Sequence, residues 1–319
     1  MSAAPLLEVS DLVKHFPLKG GGVIHALNGV SLAQTPGETI GIVGESGCGK
    51  STLARVILRL LEPTGGRITF EGRDLIGLSK PAMREKRRAM QMIFQDPLAS
   101  LDPRFTIGAA IEEPLIIHGL GTKTERRAKV LELLDMVGLG TEAVSRYPHE
   151  FSGGQRQRIG IARALAVEPK LVIADEPVSA LDVSIQSQIL NLLAELRERL
   201  ALSLLFISHD LAVVRYISDR IAVMYLGQIV EFGEADRIYR DAAHPYTQAL
   251  ISAVPEPMPG RRQQRIVLKG DVPNPESPPP GCPFHPRCPK AMAICRTDLP
   301  IENNLGTDAR PHLVRCHLF

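Results

Sequence analysis

Short, continuous apolar runs alternate along this chain with segments whose apolar residues recur at helical spacing. The runs Thr39–Val43, Leu171–Ala174 and Leu204–Ile207 are typical of strands buried on both faces of a parallel sheet. Between the last two runs, residues 184–200 have the pattern of an amphipathic helix, with one apolar side. These elements predict an α/β fold.

The remaining pattern predicts further strands and helices, interrupted by glycine and proline. Thr122 and Glu125 have the spacing of a helix N-terminal capping box. Pro97, Pro103 and Pro114 predict a loop followed by a broken helix. The other predicted strands are Leu7–Leu12, His25–Leu32, Arg67–Phe70 and Met90–Phe94, with Ile221–Tyr225 and Ile229–Phe232 as a hairpin around Gly227. The other predicted helices are Thr52–Leu61, residues 80–90 and Arg156–Ala166.

The composition of the chain changes near residue 255. Eleven of the 25 prolines lie between Pro255 and Pro289, which predicts an extended linker or wrapped arm in place of a helical domain. We therefore expect a main domain over residues 1–254 and a proline- and cysteine-rich C-terminal extension over residues 255–319.

Composition and charge narrow the class of protein. The 319 residues are 44% hydrophobic and 23% charged, as in a soluble globular protein, and the net charge of +2 gives no sign of nucleic acid binding. No apolar run approaches the roughly 18 residues that cross a bilayer, and residues 1–8 lack the pattern of a secretory signal. We expect a cytosolic protein, or one that is peripheral on the cytosolic side of a membrane.

Residues 44–52 carry the most informative chemistry. They match the phosphate-binding pattern G-x-x-x-x-G-K-[ST] at every fixed position, between a predicted strand and a predicted helix. The backbone N–H groups of such a loop point at phosphate oxygens, and the following helix adds the positive end of its dipole. Lys50 is predicted to bridge the β- and γ-phosphates, and Ser51 to coordinate Mg²⁺. The predicted nucleotide-binding residues of this loop are Gly44, Glu45, Ser46, Gly47, Cys48, Gly49, Lys50, Ser51 and Thr52.

Two acidic residues follow the apolar run that ends at Ala174. Asp175 occupies the position of a Walker B carboxylate, which lies near Mg²⁺, and Glu176 could polarise an attacking water molecule. Together with the phosphate loop, this pair predicts that the chain hydrolyses a nucleoside triphosphate.

Further motifs resemble those of ATP-binding cassette (ABC) proteins and occur in the order found in that family. Gln95 matches the Q-loop, residues 179–182 match the D-loop, and His209 matches the switch histidine. The residues that match the ABC signature are Ser152, Gly153, Gly154 and Gln155. The resemblance implies an α/β P-loop NTPase (RecA-like) cassette, with an antiparallel β-subdomain and a helical subdomain at about residues 96–165.

The same resemblance implies how the site works. Two cassettes would form a head-to-tail sandwich, with each ATP between the phosphate loop of one subunit and the signature of the other. Gln95 would contact Mg²⁺ and the attacking water, His209 the γ-phosphate, and Asp182 would order the dimer interface. Phe16 occupies the position where the family stacks an aromatic ring on adenine, although a lone phenylalanine is also consistent with the core. Because Glu176 is present with His209, we expect the subunit to hydrolyse ATP.

Longer stretches resemble the ATP-binding subunits of dipeptide and oligopeptide importers. They cover residues 94–104, 152–158, 175–183 and 244–247, and the similarity extends into the C-terminal extension. It implies that ATP hydrolysis drives peptide uptake across the cytoplasmic membrane, with glutathione or nickel as alternative substrates. The implied partners are a related cassette subunit, two membrane permeases and an extracytoplasmic peptide-binding protein. An ABC ATPase outside transport is a weaker alternative, because the chain has one cassette and no sustained heptads.

The C-terminal extension holds a group of cysteines. Cys282, Cys288, Cys295 and Cys316 are spaced C-x5-C-x6-C-x20-C. Four thiolates can bind a tetrahedral zinc ion or an iron–sulfur cluster, and nearby histidines could join a zinc site. The resemblance to importers with this extension favours a [4Fe–4S] cluster over zinc or no metal.

Overall fold

The computed structural model describes residues 4–96, 100–254 and 265–319. The chain divides into two compact units, each of which is built from separate segments. The first unit comprises Met1–Gln34, Thr39–Ile76 and Ser208–Phe319, and the second comprises Thr35–Glu38 and Gly77–Ile207.

Strands and helices alternate along most of the described chain. The strands are β1 (Leu7–Pro17), β2 (Val23–Gln34), β3 (Thr39–Val43), β4 (Gly65–Phe70), β5 (Arg73–Asp74), β6 (Met90–Ile93), β7 (Leu171–Asp175), β8 (Ser203–Ser208), β9 (Arg220–Tyr225), β10 (Gln228–Glu234), β11 (Glu302–Asn304) and β12 (Leu313–Arg315). The α-helices are α1 (Lys50–Ile57), α2 (Lys80–Ala89), α3 (Ile107–Ile117), α4 (Lys123–Met136), α5 (Gly153–Leu165), α6 (Val183–Leu200), α7 (Leu211–Ile217), α8 (Ala235–Arg240) and α9 (Pro245–Ser252). Short 3₁₀ turns span Thr141–Ser145, Pro148–Glu150 and Ile294–Arg296.

The first unit contains an antiparallel sheet of four strands, in the order β2-β1-β4-β5. Leu7 and Leu12 of β1 and Leu27 of β2 point into its core and are completely buried. β1 extends five residues beyond its predicted end and reaches Pro17. Phe16 therefore lies in the last part of β1, opposite Ile24 of β2.

A second group of strands in the first unit joins β3 to the C-terminal extension. β3 pairs with β9 in parallel, and β9 forms the predicted hairpin with β10 around Gly227. β10 then pairs with β12 of the extension in antiparallel orientation, with Glu231 opposite Val314. The extension is thus hydrogen-bonded into the same set of strands that carries the phosphate loop.

The described part of the extension, residues 265–319, is mostly irregular, with two short strands and one 3₁₀ turn. The predicted linker begins in residues 255–264, which lie outside the described residues. Phe284 is 1% exposed and packs against the rings of Tyr225 and Tyr246, with centroids 5.2 and 5.4 Å away. An aromatic core therefore anchors the extension to β9 and α9.

The second unit is organised around parallel strands, as the continuous apolar runs predict. β6 pairs with β7 and β7 with β8, and every residue of β7 and β8 is buried. The helices α3 to α6 belong to this unit. The capping box at Thr122 is confirmed, because its hydroxyl accepts from the Glu125 N–H while the Glu125 carboxylate accepts from the Thr122 N–H.

The prediction that Pro114 breaks a helix is wrong. Pro114 lies inside α3, which begins at the Thr106 cap and continues to Ile117. Proline removes one helical hydrogen bond but is tolerated when tertiary packing holds the surrounding turns. Here Ile107 and Ile111 are completely buried and provide that packing. Pro97 lies outside the described residues.

Candidate active site

The predicted phosphate loop connects β3 to α1 within the first unit. Ser46 and Gly47 are exposed at its tip, and Gly44 is buried at its base. Ser51 and Thr52 occupy the first turn of α1, where helical N–H groups point along the axis toward the loop. The helix begins two residues before its predicted start and ends at Ile57 instead of Leu61. The loop therefore presents its tip to solvent in the form expected of an anion site.

Two residues hold the second half of the loop against the rest of the first unit. Gly49 has φ of +106°, and a Cβ there would collide with the carbonyl oxygen of Ala26. Only glycine fits such a conformation and such a close approach. The carbonyl oxygen of Cys48 accepts from the Gly227 N–H at 2.9 Å. Burial raises the pKa of the Cys48 thiol, which is 2% exposed and so remains protonated.

Lys50 is buried beneath the loop with 5% of its surface exposed. Its Nζ donates to the carbonyl oxygens of Gly44 at 2.7 Å and Glu45 at 3.1 Å. A buried ammonium group needs such acceptors, and phosphate oxygens could replace them. The predicted phosphate-bridging role of Lys50 is compatible with this position.

Glu45 is held by three separate groups of the first unit. Its N–H donates to the Tyr246 hydroxyl at 2.9 Å, and its carbonyl oxygen accepts from Lys50. Its carboxylate accepts from both terminal nitrogens of Arg287, at 2.6 and 3.0 Å. Neither Tyr246 nor Arg287 was predicted as part of this site. Tyr246 lies in the importer-like stretch 244–247, which was a usable signal, whereas nothing local indicated Arg287.

Phe16 lies half-buried in β1. The ammonium group of Lys14 lies 4.8 Å from the centre of its ring, which is within the range of a cation–π contact. The Lys14 side chain of the same strand therefore already covers part of the Phe16 ring. Adenine stacking on Phe16 stays a prediction.

In the second unit the structure brings Gln95 and Glu176 together. Asp175 is the last residue of β7 and is 2% exposed, and Glu176 follows it with φ of +46°. The Gln95 carboxamide donates from Nε2 to Glu176 Oε2 at 3.2 Å. The Ser179 hydroxyl donates to the Glu176 carbonyl oxygen at 3.1 Å. A non-glycine residue with positive φ is uncommon, and such conformations cluster at functional sites.

The predicted signature forms the N-terminus of α5. The Ser152 hydroxyl accepts from the Gln155 N–H at 3.3 Å, and the Gln155 side-chain oxygen accepts from the Ser152 N–H at 3.0 Å. This capping box was not predicted from the sequence. Gly153 and Gly154 form the first turn, and a Cβ at Gly154 would press into the Ile185 side chain. The arrangement leaves the exposed Ser152 at the positive end of a helix dipole.

Asp182, in the predicted D-loop, is the N-cap residue of α6. Its carbonyl oxygen accepts from the N–H groups of Ile185 and Gln186. The Gln186 side chain donates to the carbonyl oxygens of Val178 and Leu181, at 3.1 and 3.0 Å. Gln186 therefore fixes the shape of the D-loop from the following helix, a role that the sequence analysis missed.

His209 follows β8 and is exposed. The next residue, Asp210, caps α7 by accepting from the N–H groups of Ala212 and Val213. The cap fixes the backbone beside His209 and leaves its ring at the surface. Its predicted contact with the γ-phosphate stays a prediction.

The four cysteines of the extension form one group of thiols. Cys282, Cys295 and Cys316 are buried, and Cys288 is partly buried. Every pair of the four is close enough for an electrostatic interaction. Burial raises the pKa of Cys282 to about 11. Among the described residues, no three His, Cys, Asp or Glu side chains are arranged to hold a metal ion.

Comparison with protein families places this geometry in context. A model of the ABC transporter family matches residues 27–179, which include the phosphate loop and the signature. A second model, described as the oligopeptide/dipeptide transporter C-terminal region, matches residues 230–295.

In the described part of the chain, no helix has both the length and the apolar character needed to cross a membrane.

Individual proteins are similar over nearly the whole chain. The oligopeptide transport ATP-binding protein AppF of Bacillus subtilis is 52% identical over 98% of this chain and 97% of its own length. A putative peptide import ATP-binding protein of Brucella ovis is 53% identical over 94% of both chains. A solved structure of the dimeric ATP-binding cassette MJ0796, bound to ADP and Pi, is 32% identical with a TM-score of 0.66. It covers 72% of this chain and 98% of that one.

The fold and these similarities define the class of the protein as an ABC cassette with the P-loop NTPase fold. The chain belongs to the ABC transporter ATPases that carry an oligopeptide/dipeptide transporter C-terminal region.

Proposed function

We propose that this chain is the ATP-hydrolysing subunit of an importer that takes up dipeptides or oligopeptides. The names of the AppF relative and of the Brucella relative support peptide transport, as does the matching C-terminal region. Related substrates, such as glutathione or nickel, are the alternative. The exact substrate would be set by the membrane and binding-protein subunits, which this chain would serve from the cytoplasmic face.

Residues 44–52 would bind the phosphates of ATP. The loop tip is exposed and Lys50 lies beneath it with two carbonyl partners that phosphate could replace. Ser51, Asp175 and Gln95 are the oxygen donors that fit Mg²⁺, which prefers hydroxyl, carboxylate and carbonyl oxygens. Bound Mg²⁺ would neutralise charge on the transferred phosphoryl group.

Glu176 would accept the proton of the attacking water. The hydrogen bond from Gln95 to Glu176 Oε2 is the single observation that carries this assignment, because it orients the carboxylate directly after the Walker B aspartate. His209, exposed beside the Asp210 cap, would contact the γ-phosphate.

The signature would act on the nucleotide of another cassette. Ser152, Gly153 and Gly154 begin α5, so their N–H groups can donate to a γ-phosphate across an interface. Asp182 would order that interface. The partners would be a related cassette subunit, two membrane permeases and an extracytoplasmic peptide-binding protein.

The four cysteines of the extension would hold a [4Fe–4S] cluster. The resemblance of the extension to those of peptide importers is what favours the cluster over zinc. The cluster would stabilise the fold of the extension around Cys282 and Cys295.

The replacement of Glu176 by Gln tests the hydrolytic assignment. We expect ATP affinity to stay within about threefold of the parent while turnover falls at least about a hundredfold, since general-base catalysis contributes that much. Exposed Glu195 on α6 offers the matched control, and Glu195→Gln should hydrolyse ATP normally. Retained hydrolysis in Glu176→Gln would refute the role of Glu176.

The importer assignment needs a second measurement. The chain should co-purify with membrane permeases, and peptide with its binding protein should stimulate the ATPase activity of that complex. ATPase activity that is indifferent to any membrane partner would count against an importer, even if the Glu176 result holds.

A further inference from the structure

The contact between Glu45 and Arg287 joins the phosphate loop to the C-terminal extension. Two N–H···O hydrogen bonds, of 2.6 and 3.0 Å, link the two terminal nitrogens of the guanidinium group to the two carboxylate oxygens. The Arg287 side chain is 8% exposed and the Glu45 side chain 29% exposed. A bidentate pair that is largely removed from water is among the stronger side-chain contacts that a protein makes.

Arg287 is itself held rigidly by the extension. Its N–H donates to the Phe284 carbonyl oxygen at 3.0 Å, and Phe284 is locked between the rings of Tyr225 and Tyr246. The guanidinium carbon lies 5.9 Å from the centre of the Tyr225 ring. The packed aromatic rings around Phe284 therefore hold Arg287 in place.

A second segment of the extension contacts β2. The carbonyl oxygen of Pro275 accepts from the His25 N–H at 3.0 Å, and β2 pairs with β1, the strand that carries Phe16. Two separate segments of the extension thus contact the rest of the first unit, one at the phosphate loop and one at β2. Of these two contacts, only the one made by Arg287 joins charged side chains.

Binding of ATP places two demands on Glu45. When phosphate replaces the carbonyl partners of Lys50, the loop loses its contact at the Glu45 carbonyl oxygen, and other contacts then keep it in place. In addition, the Glu45 carboxylate lies on the loop that would bind the negatively charged phosphates of ATP. Without a positively charged partner, this carboxylate would repel the phosphates. Arg287 meets both demands, because it fixes the side chain and neutralises its charge.

We propose that Arg287 is a positioning residue for ATP binding: it holds and neutralises Glu45, so the C-terminal extension sets the nucleotide affinity of the phosphate loop. Arg287 does not itself contact the phosphates in this account and acts only through Glu45. The inference rests on the proposed function in one respect, namely that residues 44–52 bind ATP.

A double-mutant cycle with the full-length chain tests the proposal. Dissociation constants for a non-hydrolysable ATP analogue would be measured by calorimetry for the parent, Arg287→Ala, Glu45→Ala and the double variant. We expect Arg287→Ala to weaken binding about tenfold to a hundredfold, the range for loss of hydrogen bonds to a charged group. In the Glu45→Ala background the same substitution should change affinity less than about threefold, because its target is gone.

Two further variants separate positioning from a general loss of structure. Arg287→Lys keeps the charge but loses the bidentate geometry, so it should recover part of the affinity. Lys290→Ala removes a nearby exposed cation of the extension and should bind as the parent does. In steady-state assays, Arg287→Ala should raise KM for ATP while kcat at saturating ATP stays within about threefold.

The outcomes are distinct. Equal effects of Arg287→Ala in the parent and Glu45→Ala backgrounds, or unchanged affinity in Arg287→Ala, would overturn the proposal. A Lys50→Ala variant that binds the analogue as tightly as the parent would instead overturn the phosphate-loop assignment. Loss of binding in Lys50→Ala with full binding in Arg287→Ala would leave the proposed function standing and refute only this inference.

Discussion

The buried carboxylate of Glu231 leads to a quantitative stability prediction. Glu231 lies on β10 with 1% of its surface exposed. Its Oε1 accepts from the Ala243 N–H and from His312 Nε2, both at 2.7 Å, and its Oε2 accepts from the His244 N–H at 3.0 Å. The one carboxylate therefore joins a cassette strand, the start of α9 and the C-terminal extension.

The replacement of Glu231 by Ala leaves three buried donors without an acceptor. Each orphaned buried group costs about 1–3 kcal/mol, so three of them cost about 3–9 kcal/mol before any relaxation. We expect a loss of about 4 kcal/mol in the free energy of unfolding, because some relaxation offsets the full sum. For a domain of about 150–250 residues this corresponds to a fall in Tm of roughly 8–16 °C.

Urea and thermal unfolding followed by far-UV circular dichroism would measure this loss. Glu231→Gln keeps one oxygen acceptor and should lose less stability than Glu231→Ala. The matched control is Glu234→Ala on the same strand, because Glu234 pairs at the surface with Arg310 at 3.5 Å. The control should change the free energy of unfolding by less than about 1 kcal/mol. If Glu231→Ala is no more destabilised than Glu234→Ala, the buried network does not contribute as reasoned.

Two other measurements test buried and cysteine-rich parts of the first unit. Burial lowers the pKa of His244 from 6.5 to about 4. Between these pH values the unfolded chain therefore binds more protons than the folded chain. The free energy of unfolding should fall as the pH drops through this range, by up to about 1.4 kcal/mol per pH unit. His244→Asn keeps an acceptor for the Tyr246 N–H and should flatten this slope in urea unfolding, whereas identical slopes would contradict the assignment. Protein purified without oxygen should be brown, absorb broadly near about 400 nm and contain about four irons per chain. Cys288→Ser should lower the iron content, and a colourless parent protein without iron would remove the cluster proposal.

Local sequence patterns correctly predicted the strands, caps and turns that are determined by neighbouring residues. The strand at Thr39–Val43, the capping box at Thr122 and the hairpin at Gly227 each depend on fewer than about ten neighbouring residues. Pro114 misled the same reasoning, because its effect on α3 is decided by tertiary packing and not by its neighbours.

The contacts that join distant segments were outside the reach of such patterns. Arg287 and Glu45 are 242 residues apart, and His312 and Glu231 are 81 residues apart. A charged residue in a proline-rich stretch looks like any solvated side chain until the fold brings its partner within reach. The motif residues could therefore be predicted, whereas the residues that hold them in place could not.

The aromatic core around Phe284 also bears on the order in which the chain is made. Tyr225 and Tyr246 emerge from the ribosome well before Phe284, whose ring packs against both of them in the folded chain. Chains are synthesised from the N-terminus, and unfinished cores leave apolar surface exposed to association. The phosphate loop is translated early, but its Glu45 can gain the contact with Arg287 only after synthesis has passed residue 287.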